Sequence, residues 1–478
     1  MPFKCPKLLD FIKNEEGGLS PLIAGSMVML IGVSGIVVDS ARMFYAKNIM
    51  QKSLDAAGLA AGHSMHSENM EPSAQEFFNS NFNENLTYAS SAQISVTISD
   101  DNKLINLTAT ASIDATFMKL FGFNTLDISA ATEITRDTRG MELVLVMDNT
   151  GSMRSSSKMT AMKDAAEDLI EIVYGDNDTN SNLWAGLIPY SSMVNVGQSH
   201  VNWLNLTHQD DVNLHDKFGP TEWKGCVMAR SDDEDQTDTN PTTEPFDYFF
   251  WDDDVDNNWI KDDGSFQLSE ANSAQNNGRG PNLGCGPAIT PLVASKTTLI
   301  EAIDEMEPWH RGGTTSNLGL VWGWRALSPN WAGLWGGDSP AFLPLPYDTP
   351  FMDKVVVLLT DGNNQFYDWK SHSPDGGVGP FGSDKTGYGR LHDLGVTSLS
   401  DGQDLLDDGL AATCEIMKNE GIIIYTITFG NSPNSQTQDL YRNCASNSSF
   451  YFHAPGNGDL ATVFESIGKQ LSNLRLSN

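Results

Sequence analysis

Leu143-Val-Leu-Val-Met147 runs straight into Asp148-Asn149-Thr150-Gly151-Ser152, and this junction constrains the fold more than any other stretch of the 478-residue chain. A short β run that ends in a carboxylate, with hydroxyls two and four residues later, puts three hard oxygen donors on one tight loop. Two further pieces lie downstream. Gly312-Gly313-Thr314 opens a helical stretch, and Val355-Val-Val-Leu-Leu359 runs into Thr360-Asp361-Gly362. From Glu142 onward the pattern alternates strand and helix, as a doubly wound, Rossmann-like α/β sheet requires. Met162, Ala166, Leu169 and Val173 share one face of the helix after the loop. Leu183 to Pro189, Val355 to Leu359 and Ile422 to Phe429 read as strands. Leu299 to Met306, Leu318 to Leu327, Leu405 to Lys418 and Leu460 to Leu471 read as helices.

Oxygen-only donors suit Mg²⁺, Ca²⁺ or Mn²⁺, and hydroxyls combined with two carboxylates suit small octahedral Mg²⁺ best. Without a cation, Asp148 and Asp361 repel. Two charges ~5 Å apart at an effective dielectric of ~20 cost about 3 kcal/mol, so either a carboxyl pKa rises or a cation binds. The three pieces, in this order and beside these kinds of element, resemble the von Willebrand factor A (VWA) family. Its metal-ion-dependent adhesion site uses D-x-[ST]-x-S with a distant Thr and a distant Asp. The resemblance implies Asp148, Thr150, Ser152, Thr314 and Asp361 as metal residues, with Thr315 a neighbour competing for the role of Thr314. It also implies direct coordination by the loop hydroxyls, aspartates acting partly through water, and an open position filled by a carboxylate of a partner protein.

Lys and Arg number 29 against 62 Asp and Glu, a formal charge of −33. A surface this negative repels nucleic acid and anionic lipid headgroups. It favours cations and basic or metal-bridged partners. Of the five cysteines, Cys5 stands alone, and Cys226 with Cys285 and Cys414 with Cys444 make two candidate disulfides. Closing loops of roughly 60 and 30 residues would stabilise the fold by up to about 4 kcal/mol each. Four free buried thiols are the alternative.

Leu19 to Val38 is uncharged. As a helix it spans about 30 Å, the thickness of a bilayer core. Its helical pattern continues through Asp39 and Arg42 into Leu54-Asp-Ala-Ala-Gly-Leu-Ala-Ala61, which favours a retained anchor over a cleaved signal peptide. Lys4, Lys7 and Lys13 precede the run and Arg42, Lys47 and Lys52 follow it, a tie for the positive-inside rule. The cysteine pairing breaks the tie: residues 1–18 are expected in the cytoplasm and the large C-terminal part outside it. Glu16-Gly-Gly, Val37-Val-Asp-Ser-Ala-Arg42 and Gln51-Lys-Ser-Leu-Asp-Ala-Ala57 resemble the TadE/TadG-like N-terminus of tight-adherence (Flp) pilus assembly proteins. That family implies a single-pass bacterial inner-membrane protein with its C-terminal domain in the periplasm or beyond. Residues 39–138 read as a helix followed by a small α+β stalk, with a second helix at Ala74 to Phe82. A hairpin of Ala92 to Ile98 and Leu104 to Ser112 turns at Asp100-Asp101-Asn102, and Ile128 to Ile134 adds a strand. Residues 141–478 form the VWA-like domain.

Two insertions, about 195–294 and 363–403, break the strand–helix rhythm; the second leaves Asp361 directly and should border the metal face. In the first, Asp252, Asp254, Asp256 and Asp263 fall at EF-hand-like positions, but Asn257 replaces the expected Gly. They form either a weak calcium loop or a solvated acidic segment. Gly377-Val-Gly-Pro-Phe-Gly382 follows no strand and opens no helix, which argues against a dinucleotide site. His200, His208 and His215 read as surface or hydrogen-bonded residues rather than zinc ligands. Trp322 and Trp324, two apart in one helix, cannot share a face, so one is expected in the core. The whole is read as an anchored, non-enzymatic, extracytoplasmic binding protein that docks an acidic residue of a pilus or pilus-assembly component on Mg²⁺. A surface adhesin for an extracellular ligand and a metal-dependent hydrolase are the alternatives.

Overall fold

The computed structural model describes residues 19–63, 67–82, 89–90, 92–98, 104–135, 139–180, 182–206, 214–231, 234–255, 257–271, 278–367 and 382–476. Residues 1–18, residues 99–103 where the hairpin was expected to turn, Asp256, His208 and residues 368–381 with most of the GxGxxG match lie outside them, as does the side chain of His215. The chain divides into two compact units, Met1–Asp137 and Thr138–Asn478.

In the first unit, helix α1 (Ser20–His63) and helix α2 (Ser67–Asn81) accompany an antiparallel sheet of β1 (Gln93–Ile98), β2 (Leu104–Asp114) and β3 (Thr125–Thr135), in that order. Met50, Leu54, Ala57 and Ala61 recur at helical spacing on α1. They bury against Phe78 and Phe82 and against Ile105, Leu107, Ala109 and Ile128 of the sheet. Along β2 the core residues alternate with outward ones, as a one-sided sheet requires. In the N-terminal part of α1, Leu22, Val28, Met29 and Leu30 are exposed. Among the described residues α1 is the one helix long and apolar enough to cross a membrane.

The second unit is mixed α/β. Its central strands β4 (Gly140–Asp148), β5 (Leu183–Tyr190), β10 (Met352–Thr360), β12 (Ile423–Phe429) and β13 (Tyr451–Ala454) pair in parallel, in the order β13-β12-β10-β4-β5. The short strands β6 (Val194–Asn195), β7 (Cys226–Val227) and β8 (Thr290–Val293) extend the β5 edge antiparallel. Every residue of β4 is buried, which is why it reads as a continuous apolar run. Leu143, Leu145 and Met147 face helices α3 (Lys158–Tyr174), α4 (Lys296–Asp304) and α8 (Asn457–Leu476) through Met162, Leu169, Leu299, Phe464 and Ile467. Val144 and Val146 face helix α5 (Ser316–Leu327), which comes so close that a β-carbon on Gly323 would lie 2.7 Å from Val146.

Helix α5 corrects one expectation: both Trp322 and Trp324 are buried, because all its residues are. The 195–294 insertion wraps the face that the sheet leaves free. Trp322 packs at 5.0 Å from Phe246 and 5.5 Å from Trp331, and Trp324 donates from Nε1 to the Tyr347 hydroxyl at 2.8 Å. Cys226–Cys285 closes this insertion and Cys414–Cys444 joins helix α6 (Leu399–Asn419) to helix α7 (Ser435–Cys444).

Candidate metal centre

Strands β4 and β10 run side by side with Val146 opposite Leu358, so their carboxyl ends arrive together. There the chain leaves the sheet, at the edge where parallel α/β sheets place their sites. Asp148 ends β4, flanked by Tyr190 of β5, and Thr360-Asp361 ends β10. Asp148 and Asp361 are both fully buried. Asp148 Oδ1 accepts from the Thr150 amide at 2.8 Å and the Thr150 hydroxyl at 2.6 Å. Its Oδ2 accepts from the Thr360 hydroxyl at 3.0 Å and the Asp361 amide at 3.1 Å. Asp361 Oδ1 accepts from the Ser152 hydroxyl at 2.5 Å, and its Oδ2 from Lys158 Nζ at 2.7 Å. The carboxylates therefore sit behind and orient the hydroxyls in front of them.

Thr150, Ser152 and Thr314 line one cavity of about 310 Å³, together with Trp309, His310 and Tyr367. Thr314 reaches it on strand β9 (Gly313–Thr314), which pairs antiparallel with β11 (Gln365–Phe366), four residues beyond Asp361. The backbone approach is tight: Gly313 has φ +142°, and a β-carbon there would strike the Gln365 carbonyl. Thr315 is committed elsewhere, its hydroxyl donating to the Ser191 carbonyl at 3.1 Å. Of the two adjacent threonines, the cavity takes Thr314.

The donor set fits a hard cation. Thr150 and Ser152 each have one hydroxyl proton, and each has a carboxylate to receive it. Yet their oxygens also lie 2.8 Å from one another, a contact that then lacks a proton and sets lone pairs face to face. Adjacent ligands of an octahedral Mg²⁺, each at 2.0–2.1 Å, stand about 3 Å apart. Either a proton or a cation must supply the missing positive charge. Burial first, and then the charge of Asp361, push the Asp148 carboxyl up to about 6. Burial and the Arg154 charge hold the His310 imidazole below its ordinary pKa, so it tends to be neutral and adds no positive charge beside the hydroxyls. Among the described residues no three His, Cys, Asp or Glu side chains converge, so any cation here depends on hydroxyl oxygen.

Lys158 and Thr360 escaped the sequence reading. Thr360 adjoins Asp361, but its hydroxyl points back to a carboxylate 212 positions earlier, and Lys158 pairs with one 203 positions later. No local pattern announces either.

Among the described residues of the acidic loop, Asp252, Asp254 and Asp263 each have a separate partner, and Asp256 lies outside those residues. Asp252 pairs with Lys385 at 3.1 Å and Asp254 with Arg390 at 2.5 Å, while Asp263 caps its own turn through the Ser265 amide and hydroxyl. Asp252 and Asp254 thereby tie the first insertion to the second. Between them Arg311, one residue before the Gly-Gly pair, donates to both oxygens of Asp384 at 2.6 and 2.8 Å and lies 4.6 Å over Trp251. Both insertions thus brace the segment that carries Thr314. His200 stacks on Trp203 at 3.8 Å, in an aromatic cluster rather than a ligand set.

No family model matches the chain, and no curated protein matches it. Solved structures do. Proximal thread matrix protein 1 from the mussel byssus is 13% identical over 70% of this chain and 46% of its own, with a TM-score of 0.31. The pilus adhesin SpaC from Lactobacillus rhamnosus GG is 11% identical over 80% and 34%, with a TM-score of 0.36. The vWF domain of the type V pili tip protein Mfa5 from Porphyromonas gingivalis is 11% identical over 71% and 97%, with a TM-score of 0.36. The chain spans less than half the length of the first of these proteins.

Proposed function

We propose that the second unit is a doubly wound VWA-type domain that binds a partner protein through a divalent cation, with Mg²⁺ the best fit. Asp148, Thr150, Ser152, Thr314 and Asp361 would hold the cation. One observation carries the reading: two buried carboxylates take the protons of two hydroxyls whose oxygens crowd each other at the mouth of an open cavity. When bound, the cation supplies a Lewis-acid position for a carboxylate of the partner. The chain's own residues do the rest. Asp148 and Asp361 turn the lone pairs of Thr150 and Ser152 outward, the β9–β11 pairing holds Thr314 opposite them, and the braced insertions form the surroundings a partner would meet. Turnover is not part of this reading. With α1 as a retained anchor, the protein would sit in a bacterial inner membrane with this domain in the periplasm or beyond. It would serve tight-adherence pilus assembly or surface attachment.

The test is Mg²⁺ binding by the full chain in nanodiscs. At a concentration 100 times Kd, a cation bound only by the folded state adds about 2.7 kcal/mol of stability. We expect that gain in the wild type and its loss in Asp148→Ala and Thr314→Val. An undiminished gain in Asp148→Ala rejects the site. If Asp148→Ala loses Mg²⁺ but cells attach and assemble pili normally, the cation site stands and the pilus role falls.

A further inference from the structure

The first unit carries a second apolar surface beside the exposed half of α1. Between β2 and β3 the chain makes a tight loop, Phe117-Met-Lys-Leu-Phe-Gly-Phe123, whose turn is a 3₁₀ helix over Met118–Phe121. Leu120 is 74% exposed, and Phe121 and Phe123 are 55% exposed. A soluble turn built for water seldom shows three large apolar side chains together. The loop packs on α1 at a definite height. A β-carbon on Gly32 would lie 2.8 Å from the Phe121 ring, and one on Gly35 would strike Phe117. Those glycines lie seven and four residues before Asp39, or about 10 and 6 Å below it along a helix rising 1.5 Å per residue. They fall inside the uncharged run that ends at Val38.

The loop's backbone is prepared for a place without water. Asp39 Oδ2 accepts from the amides of Thr116 at 3.1 Å, Phe117 at 2.8 Å and Met118 at 2.8 Å. Leu120, Gly122 and Phe123 donate to the carbonyls of Phe117, Lys119 and Met118, and Ala115 closes the base by donating to Asn124. Backbone groups that leave water must find their partners within the protein, and these amides have theirs in Asp39 and in the loop's own carbonyls. Arg42 donates to the Thr116 hydroxyl at 2.6 Å, so the charged latch sits at the water-facing end while the apolar tip points the other way. Lys119 is exposed and has a stem long enough to return its ammonium to the headgroups.

We infer that the Phe117–Phe123 loop is a wedge that enters the outer leaflet beside α1, with Leu120, Phe121 and Phe123 among the acyl chains. An insertion of 5–10 Å is the depth at which interfacial apolar segments lie, and it agrees with the height of Gly32 and Gly35. The wedge would fix the depth and tilt of the stalk, which a lone helix leaves free to slide and rotate. This rests on α1 being retained in the bilayer.

The test places an environment-sensitive NBD label on single cysteines in a Cys5→Ser background, with the full chain in phosphatidylethanolamine/phosphatidylglycerol nanodiscs. Leu120→Cys and Phe123→Cys report the wedge, Val28→Cys the anchor and Thr97→Cys water; all four positions are exposed, so none should disturb the core. We expect the 120 and 123 labels to be quenched by shallow lipid-borne nitroxide and shielded from aqueous iodide severalfold better than the label at 97. Iodide access at 120 and 123 equal to that at 97, with 28 still lipid-quenched, overturns the wedge and spares the anchor. Iodide access at 28 as well overturns both. Shielding of 120 and 123 from both quenchers means a protein contact, such as a second copy, covers the loop, and that too overturns the wedge.

Discussion

Strands β4 and β10 carry buried charge at both ends, and the two ends are solved in opposite ways. At the amino end Glu142 lies opposite Lys354 in register, and the two form a buried ion pair. Glu142 also accepts from the Leu345 amide at 2.7 Å, and Lys354 also donates to the Leu327 carbonyl at 2.8 Å. Burial pushes the Glu142 carboxyl up and the Lys354 ammonium down, and each partner's charge opposes that shift. The pair is closed and saturated. At the carboxyl end Asp148 and Asp361 are equally buried, but Lys158 supplies one positive charge against two carboxylates. That end faces a cavity, and its hydroxyls crowd without a proton between them. The same strand pair thus separates a charge cluster that is matched from one that is left with an excess of carboxylate.

Breaking the closed end should have the largest effect. Glu142→Ala leaves Lys354 buried without a counter-charge, which costs about 3–5 kcal/mol. Urea unfolding should show that loss, while Glu142→Leu combined with Lys354→Met should recover most of it, since apolar replacements of a buried pair are often near neutral. Equal losses in the single and double variants would falsify the view that the charges are matched to each other.

The open end should respond to pH with the reverse sign of an ordinary ion-paired carboxylate. The folded pKa of Asp148 is pushed up to about 6, above the ordinary aspartate value of 3.8. The folded state therefore binds the proton more tightly, and stability falls as pH rises from about 4 through 6. Other carboxylates also titrate in this range, so the readout is the difference between wild type and Asp148→Asn in the metal-free protein. The wild type should lose ground to the variant across that window and regain it when Mg²⁺ is added. A difference that stays flat across the window contradicts the picture of an uncompensated pair.

The smallest effect concerns Lys158. Its ammonium holds Asp361 at 2.7 Å and would stand against an arriving cation. Lys158→Met should tighten Mg²⁺ about tenfold by titration calorimetry, or about 1.4 kcal/mol, a modest share of the ~4 kcal/mol between unit charges 4 Å apart at an effective dielectric near 20. Weaker binding in Lys158→Met would show that the lysine helps to assemble the site rather than to compete for it.

Much of the scaffold was legible because its signals are short-range. The β-branched runs of β4 and β10, the period-two hairpin of β1 and β2, and the uncharged stretch of α1 announce themselves within a few residues. Asp148, Thr150, Ser152 and Asp361 stood out for the same reason, at or just beyond the end of such a run, and Thr314 because a Gly-Gly pair and a helix start flank it. Where reading failed, the missing information lay in the partner. Trp324 could not be placed because its partner, Tyr347, lies 23 positions further on in a segment with no periodic pattern. The choice between a calcium loop and a solvated segment at 252–263 stayed open because the cations that pair with Asp252 and Asp254, Lys385 and Arg390, arrive from beyond position 380.

By itself the sequence determined which segments become strand or helix and which residues bring hard oxygen to the loops, because backbone preference and side-chain chemistry are local properties. Only the tertiary structure chose Thr314 over Thr315, brought Lys158 and Thr360 to the carboxylates, and turned the acidic insertion into a brace. Those outcomes depend on electrostatic and hydrogen-bonding distances between groups far apart along the chain, and such distances exist only once the sheet has paired.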